Sequence, residues 1–259
     1  MVTASSPVLV FDSGVGGLSV AAEMRRRLPG LPLNYLMDSA GFPYGNKDDV
    51  TLIERVVSVC VAAVNEQRPR LLVVACNTAS TLALPALRAA LDIPVVGVVP
   101  ALKVAAAASS SGRIGLLATP ATVNRSYTDN LIRDFAAGCD VRRFGSVELV
   151  QWAEDWISFG REPTGLFEHL NSWLMQPQPV SHVVLGCTHF PLLRPMLERL
   201  WPTICWVDSG EAIARRVAQL VDEQQVGDQA GEVHAQQVTL FWTGERGPTE
   251  ALRRYVAAL

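Results

Sequence analysis

Two cysteines stand in near-copies of one motif, Val73-Val74-Ala75-Cys76-Asn77-Thr78 and Val183-Val184-Leu185-Gly186-Cys187-Thr188-His189. Each follows an apolar run of β type and is followed by small polar residues instead of more core. A lone cysteine packs as a small hydrophobe, but two at matched strand ends suggest two thiols facing each other across one site. That pairing suits chemistry needing an acid and a base of the same kind on opposite sides of a substrate. A thiol at a helix N-terminus titrates below the roughly 8.5 of free cysteine, which is the expectation for Cys76. His189 stands two positions past Cys187, has an ordinary pKa near ~6.5, and reads as an acid–base partner that activates that thiol. Asn77, Thr78 and Thr188 offer neutral donors suited to a carboxylate. Cys60, Cys139 and Cys205 lack such surroundings and read as packing residues, as do His169, His182 and His234.

Three further loops carry polar groups. Phe11-Asp12-Ser13-Gly14-Val15-Gly16-Gly17-Leu18-Ser19 approaches a dinucleotide fingerprint but misses it, because position 19 is serine and no convincing acid follows about 20 residues on. It reads instead as a glycine-rich turn opening a helix whose N–H groups bind a small anion such as a carboxylate. Asp12, at the strand end, either caps that turn or serves the site, and the second reading is favoured by its company. Asp38-Ser39-Ala40-Gly41-Phe42-Pro43-Tyr44-Gly45 is a turn-rich loop in which Pro43 and Gly45 define the backbone path. Thr119 and Thr122 flank Pro120-Ala121 at a helix start, where capping and carboxylate binding are equally open.

The elements that must position these groups follow from the alternation of short β-branched runs with longer helical patterns. Strands are expected at 8–11, 34–37, 71–75, 95–98, 113–118, 141–144, 182–186, 205–207 and 239–242. Helices are expected around 17–28, 48–67, 79–91, 100–108, 122–137, 147–158, 163–175, 191–200, 210–223 and 248–258. Strands that are apolar throughout, alternating with helices, imply βα units around parallel sheets. The fold class is therefore α/β, with two similar parallel-sheet domains related by a long pseudo-repeat. Ligands of such sheets collect outside the carboxyl ends of the strands, where Asp12, Cys76, Thr119 and Cys187 stand. The reading divides the chain into 1–98 with 208–259 and, between them, 99–207. Pro85 is expected to break or kink its helix, Pro163 and Pro248 to stand near first turns, and 227–237 to form a polar excursion.

Composition excludes other classes. With 259 residues and an apolar share of 49%, the chain has enough material for real cores. A net charge of −3 and dispersed arginines offer no basic field for nucleic acid or an anionic membrane. The one cluster, Arg25-Arg26-Arg27, ends a helix, where cations offset the dipole. No apolar stretch approaches the ~20 residues of a membrane span, and the start lacks a charged leader region, so a cytoplasmic protein is expected. An odd cysteine count of five without a CxxC pair argues against a disulfide framework or structural zinc.

Taken together, Phe-Asp-Ser-Gly-Val-Gly-Gly-Leu-Ser at 11–19, Phe-Pro-Tyr-Gly at 42–45, Ala-Cys-Asn-Thr-Ala at 75–79 and Leu-Gly-Cys-Thr-His-Phe-Pro-Leu-Leu at 185–193 resemble the cofactor-independent aspartate/glutamate racemases, and within them the glutamate racemases. Gly-Leu-Leu-Ala-Thr at 115–119 and Arg-Ser-Tyr at 125–127 further resemble the Gram-negative branch. The resemblance implies interconversion of L- and D-glutamate without a cofactor or metal, supplying D-glutamate for peptidoglycan. It implies that Cys76 acts on D-glutamate and Cys187 on L-glutamate, with Asp12 and His189 as their helpers. Ser13, Tyr44, Gly45, Asn77, Thr78, Thr119, Thr122 and Thr188 match substrate-binding positions. A peptidoglycan-precursor activator and a homodimer are partners the resemblance leaves open. The family often carries a further assisting glutamate near 147–158. One register puts Gln151 there, which leaves two readings, Glu148 in that role or no assisting acid at all. Competing readings are a racemase of aspartate or another amino acid, a thiol redox or metal-binding protein using Cys76, Cys187 and His189, and a non-catalytic domain binding an acidic ligand.

Overall fold

The computed structural model describes residues 6–224 and 237–259. The expected polar excursion falls, apart from Gln237, outside the described residues, as does His234. Among the described residues nine strands form two sheets in which all pairings are parallel. The first has the order β4-β3-β1-β2-β9, built from β1 (Val8–Asp12), β2 (Leu33–Met37), β3 (Leu71–Val74), β4 (Val95–Gly97) and β9 (Val238–Trp242). The second has the order β6-β5-β7-β8, built from β5 (Arg113–Ala118), β6 (Asp140–Gly145), β7 (His182–Leu185) and β8 (Cys205–Val207). The expected strands are all present, with ends moved by a residue or so.

β1 shows why the strands are apolar throughout. Val8 and Val10 face one core with α1 (Leu18–Arg27), while Leu9 and Phe11 face another with α2 (Asp49–Gln67) and α3 (Asn77–Ala90). A strand covered on both faces has no solvent side to fill with polar residues. In the second sheet, Ile114, Leu116 and Ala118 pack towards α4 (Leu102–Ala108). Leu117, Val183 and Leu185 turn the other way, joining α7 (Glu148–Phe159) and α8 (Leu166–Leu174). That side is continuous with the Val8 and Val10 core, so one apolar cluster spans both sheets.

Several helices differ from expectation in ways that matter locally. The predicted 122–137 helix is two helices, α5 (Pro120–Val123) and α6 (Ser126–Phe135). Thr119 caps the first, and Arg125, extended at φ −83° and ψ 145°, restarts the chain into the second. The predicted 191–200 helix opens as a 3-10 turn, Phe190–Leu193, before α9 (Arg194–Leu200), as prolines at 191 and 195 remove two N–H donors. Pro85 does not break α3, which runs through it. Pro163 lies ahead of α8, whose cap is Gly165 at φ 84°. α10 (Gly210–Gln224) and α11 (Glu250–Ala257) complete the described helices, with Thr249 capping α11 just after Pro248.

Candidate active site

Cys76 occupies the N-cap position of α3, two residues past β3, and Cys187 stands two residues past β7. Both are buried, at 6% and 7% exposure. They line one cavity of about 500 Å³, together with Ser13, Tyr44, Gly45, Asn77, Thr78, Thr119, Thr122, Thr188, His189 and Glu148. Every site residue expected from the sequence therefore meets at one place except Asp12, which stands behind Ser13.

The two thiols have different company. On the Cys76 side, Asp12 is fully buried. It accepts hydrogen bonds from the Gly14 N–H at 2.9 Å, the Ser13 hydroxyl at 3.2 Å and the Thr188 hydroxyl at 2.8 Å. It is thus both a turn residue and a bridge between the halves. Ser13 Oγ lies 3.9 Å from Cys76 Sγ. Burial first, then the Asp12 charge, raise the Cys76 pKa, although the Ala79 N–H at the helix start pulls it down. The sequence expectation of a lowered pKa is thereby corrected: desolvation of the thiolate outweighs the helix N-terminus. Burial also raises the Asp12 pKa, against the charge of His189 and the bonds from Gly14 and Thr188.

On the Cys187 side, His189 Nδ1 lies 3.7 Å from the thiol sulfur, and His189 Nε2 lies 2.8 Å from Glu154 Oε1. Burial disfavours the charged ring, but its bonds to Cys187 and Glu154 prevail and raise the His189 pKa well above its ordinary value. Glu154 Oε1 also accepts the Val15 N–H at 2.9 Å. The glycine-rich turn does bind a carboxylate by its backbone, and that carboxylate belongs to the chain itself.

Thr119 and Thr122 stand both at a helix start and on the cavity wall. Thr119 caps α5, its hydroxyl lies 3.0 Å from that of Thr122, and both line the cavity. Asn77 lines the cavity, and its Oδ1 is buried with no hydrogen-bond partner. The Tyr44 hydroxyl is engaged elsewhere: it donates to Asp38 at 2.6 Å, and Arg55 and Thr243 hold the same carboxylate. That buried knot pins the 38–45 loop against the cavity. Among the described residues no three metal-ligating side chains converge.

A family model, the Asp/Glu/Hydantoin racemases, matches residues 16–217. The chain belongs to that family. It is 52% identical over 220 residues to the glutamate racemase of Photorhabdus laumondii, covering 84% of this chain and 76% of the relative. It is 50% identical over 232 residues to that of a Shewanella species, covering 89% and 85%. The Escherichia coli glutamate racemase, solved with L-glutamate and the activator UDP-MurNAc-Ala, superposes with a TM-score of 0.87 at 44% identity, covering 96% of this chain and 95% of that one.

Within a racemase, the acid missed in the sequence becomes conspicuous. Glu148 stands at the exposed rim of the cavity, its carboxylate taking the Ser146 hydroxyl at 3.0 Å, and its pKa is lowered chiefly by backbone N–H groups at the start of α7. Gln151 also lines the cavity, but its amide donates to Asp155. Glu154, one turn further along α7, is the acid that reaches His189. A signal was available: 151 and 154 share a helix face, at i and i+3.

Proposed function

We propose that this chain interconverts L- and D-glutamate by passing the α-proton between two thiols on opposite walls of one cavity. The observation that carries this reading is the pair of buried strand-end cysteines with unlike partners, Ser13 and Asp12 beside Cys76, and His189 with Glu154 beside Cys187. The α-proton of an amino acid is very weakly acidic, so its removal depends on fixed donors around the carboxylate and on exclusion of water. Asn77, Thr78, Thr119 and Thr122 supply neutral donors for the carboxylate, and Ser13 and Thr188, whose hydroxyls donate to Asp12, hold the Asp12 carboxylate in place beside Cys76.

The protonation states suit one direction at rest. Cys76, its pKa raised, is a thiol, and His189, its pKa raised, stands as a cation beside Cys187. The Cys187 thiolate takes the α-proton of L-glutamate, and the Cys76 thiol gives its proton to the opposite face. The products are D-glutamate, a Cys187 thiol and a Cys76 thiolate. Proton exchange with solvent, or the reverse reaction on D-glutamate, restores the starting state. The pair titrates as one coupled unit. In this reading residues 1–98 with 208–259 form one unit and 99–207 the other, with glutamate between them. The product feeds peptidoglycan synthesis. By similarity to the Escherichia coli enzyme, a peptidoglycan precursor activates the reaction.

The test is incubation with L-glutamate in D₂O without added cofactor, following optical rotation and α-deuteration, with and without UDP-MurNAc-Ala. Rotation decays to zero as deuterium enters Cα, faster with the activator, and L-aspartate stays unchanged. Cys76→Ala and Cys187→Ala each abolish racemisation. Persistent racemisation in either variant would sink the two-thiol mechanism, and turnover of aspartate in place of glutamate would sink the substrate assignment.

A further inference from the structure

Two walls of the cavity, distant in sequence, meet at its mouth. One is the 3-10 turn Tyr44–Asn46 leading into α2, and the other is Thr119 with α5, behind which stands the α6 cap Arg125. A Cβ built on Gly45 would lie 3.9 Å from Thr119 Cβ, so the walls stand at van der Waals distance there. Beside that contact Arg125 Nη2 donates to Asp49 Oδ1 at 2.8 Å. The arginine side chain is 18% exposed and the aspartate 59%. Arg125 Nη1 is buried with no partner, so Asp49 is the anion that holds this guanidinium.

The floor of the cleft is fastened differently. There the Thr188 hydroxyl donates to Asp12, and the Ser19 hydroxyl donates to the Thr188 carbonyl at 2.9 Å. These bonds, the first fully buried and the second partly so, tie the halves where the thiols sit. The mouth is tied by an ion pair with one exposed partner, the kind of contact worth little and weakened by salt. Both thiols are almost wholly enclosed, so a solute reaches them only when the walls around the cavity part.

We propose that Arg125 and Asp49 form a clasp across the cavity mouth, and that its breaking and remaking gates solute access to the two thiols. Neither residue lines the cavity, so the clasp acts on access and leaves the proton-transfer groups in place. It is also separate from the identity of the substrate, so its test reads the thiols directly.

The experiment is timed alkylation of the free enzyme with iodoacetamide, each cysteine being followed by mass spectrometry. It uses the native chain, Asp49→Asn, Arg125→Gln and the charge-exchanged double variant Asp49→Arg with Arg125→Asp. In either single variant Cys76 and Cys187 react about two- to five-fold faster, the scale that a contact of this exposure supplies. The exposed Cys205 reacts at an unchanged rate. Added salt speeds the native chain and not the single variants, and the double variant returns towards the native rate. Equal rates at Cys76 and Cys187 in all four proteins would overturn the clasp. So would a matching rise at Cys205, because that reports general loosening.

Discussion

At the residue scale the site is asymmetric although its two cysteines are alike. Ser13 and Asp12 leave Cys76 without a cation, and His189 gives Cys187 one. Glu154 maintains that difference, because its bond to His189 is among the interactions that raise the imidazole pKa. Glu154→Gln removes the negative charge, so the His189 pKa falls. The imidazolium is present only below that pKa, so the alkaline limb of kcat/KM moves to lower pH. At neutral pH the rate drops by about 10- to 100-fold, part of the 10²–10⁴-fold that a positioned acid–base group contributes. The primary isotope effect on 2-deuterated L-glutamate rises as the Cys187 step slows, and Glu154→Asp recovers part of the activity. An unmoved pH profile would show that Glu154 is structural only.

At the element scale, the turn from β1 into α1 explains its glycines by what it lets in. A Cβ on Gly14 would lie 2.1 Å from Glu154 Oε1, and one on Gly16 would lie 2.4 Å from His189 Nδ1 and 2.7 Å from Thr188 Oγ1. The bare backbone is the seat for the Cys187 side of the site. Gly16→Ala is expected to cost about 1–3 kcal/mol by overpacking. It also displaces the imidazole far enough to lower kcat by about 100-fold, since a shift near 1 Å can cost that much. Thermal melts and racemisation rates check both figures, and a fully active Gly16→Ala variant would refute the account. The sequence pointed to this turn and to its taste for a carboxylate, since a missed dinucleotide pattern leaves free N–H groups. Which carboxylate fills it was hidden, because Glu154 lies 139 positions away.

At the scale of the whole molecule, two sheets share one apolar cluster. Val8 and Val10 of the first sheet belong to the same core as Leu117 and Val183 of the second. Unfolding one sheet therefore exposes apolar surface of the other, and a single cooperative transition is expected. Far-UV circular dichroism and tryptophan fluorescence should melt together. Five of the six tryptophans lie between 152 and 206, so a half that melted alone would separate the two signals. The alternation of apolar runs and helices determined the class of sheet, the order of elements and the strand ends where Cys76 and Cys187 stand, because a strand buried on both faces leaves a continuous local signature. Short motifs determined the family and most of the cavity lining for the same reason, since each turn's chemistry is written in adjacent residues. Burial and distance were decided only by the tertiary structure. The raised Cys76 pKa, the Glu154–His189 bond, the Asp12–Thr188 bridge and the Arg125–Asp49 pair all depend on groups brought together by the packing of two sheets, and desolvation acts on that geometry and not on neighbours in the chain.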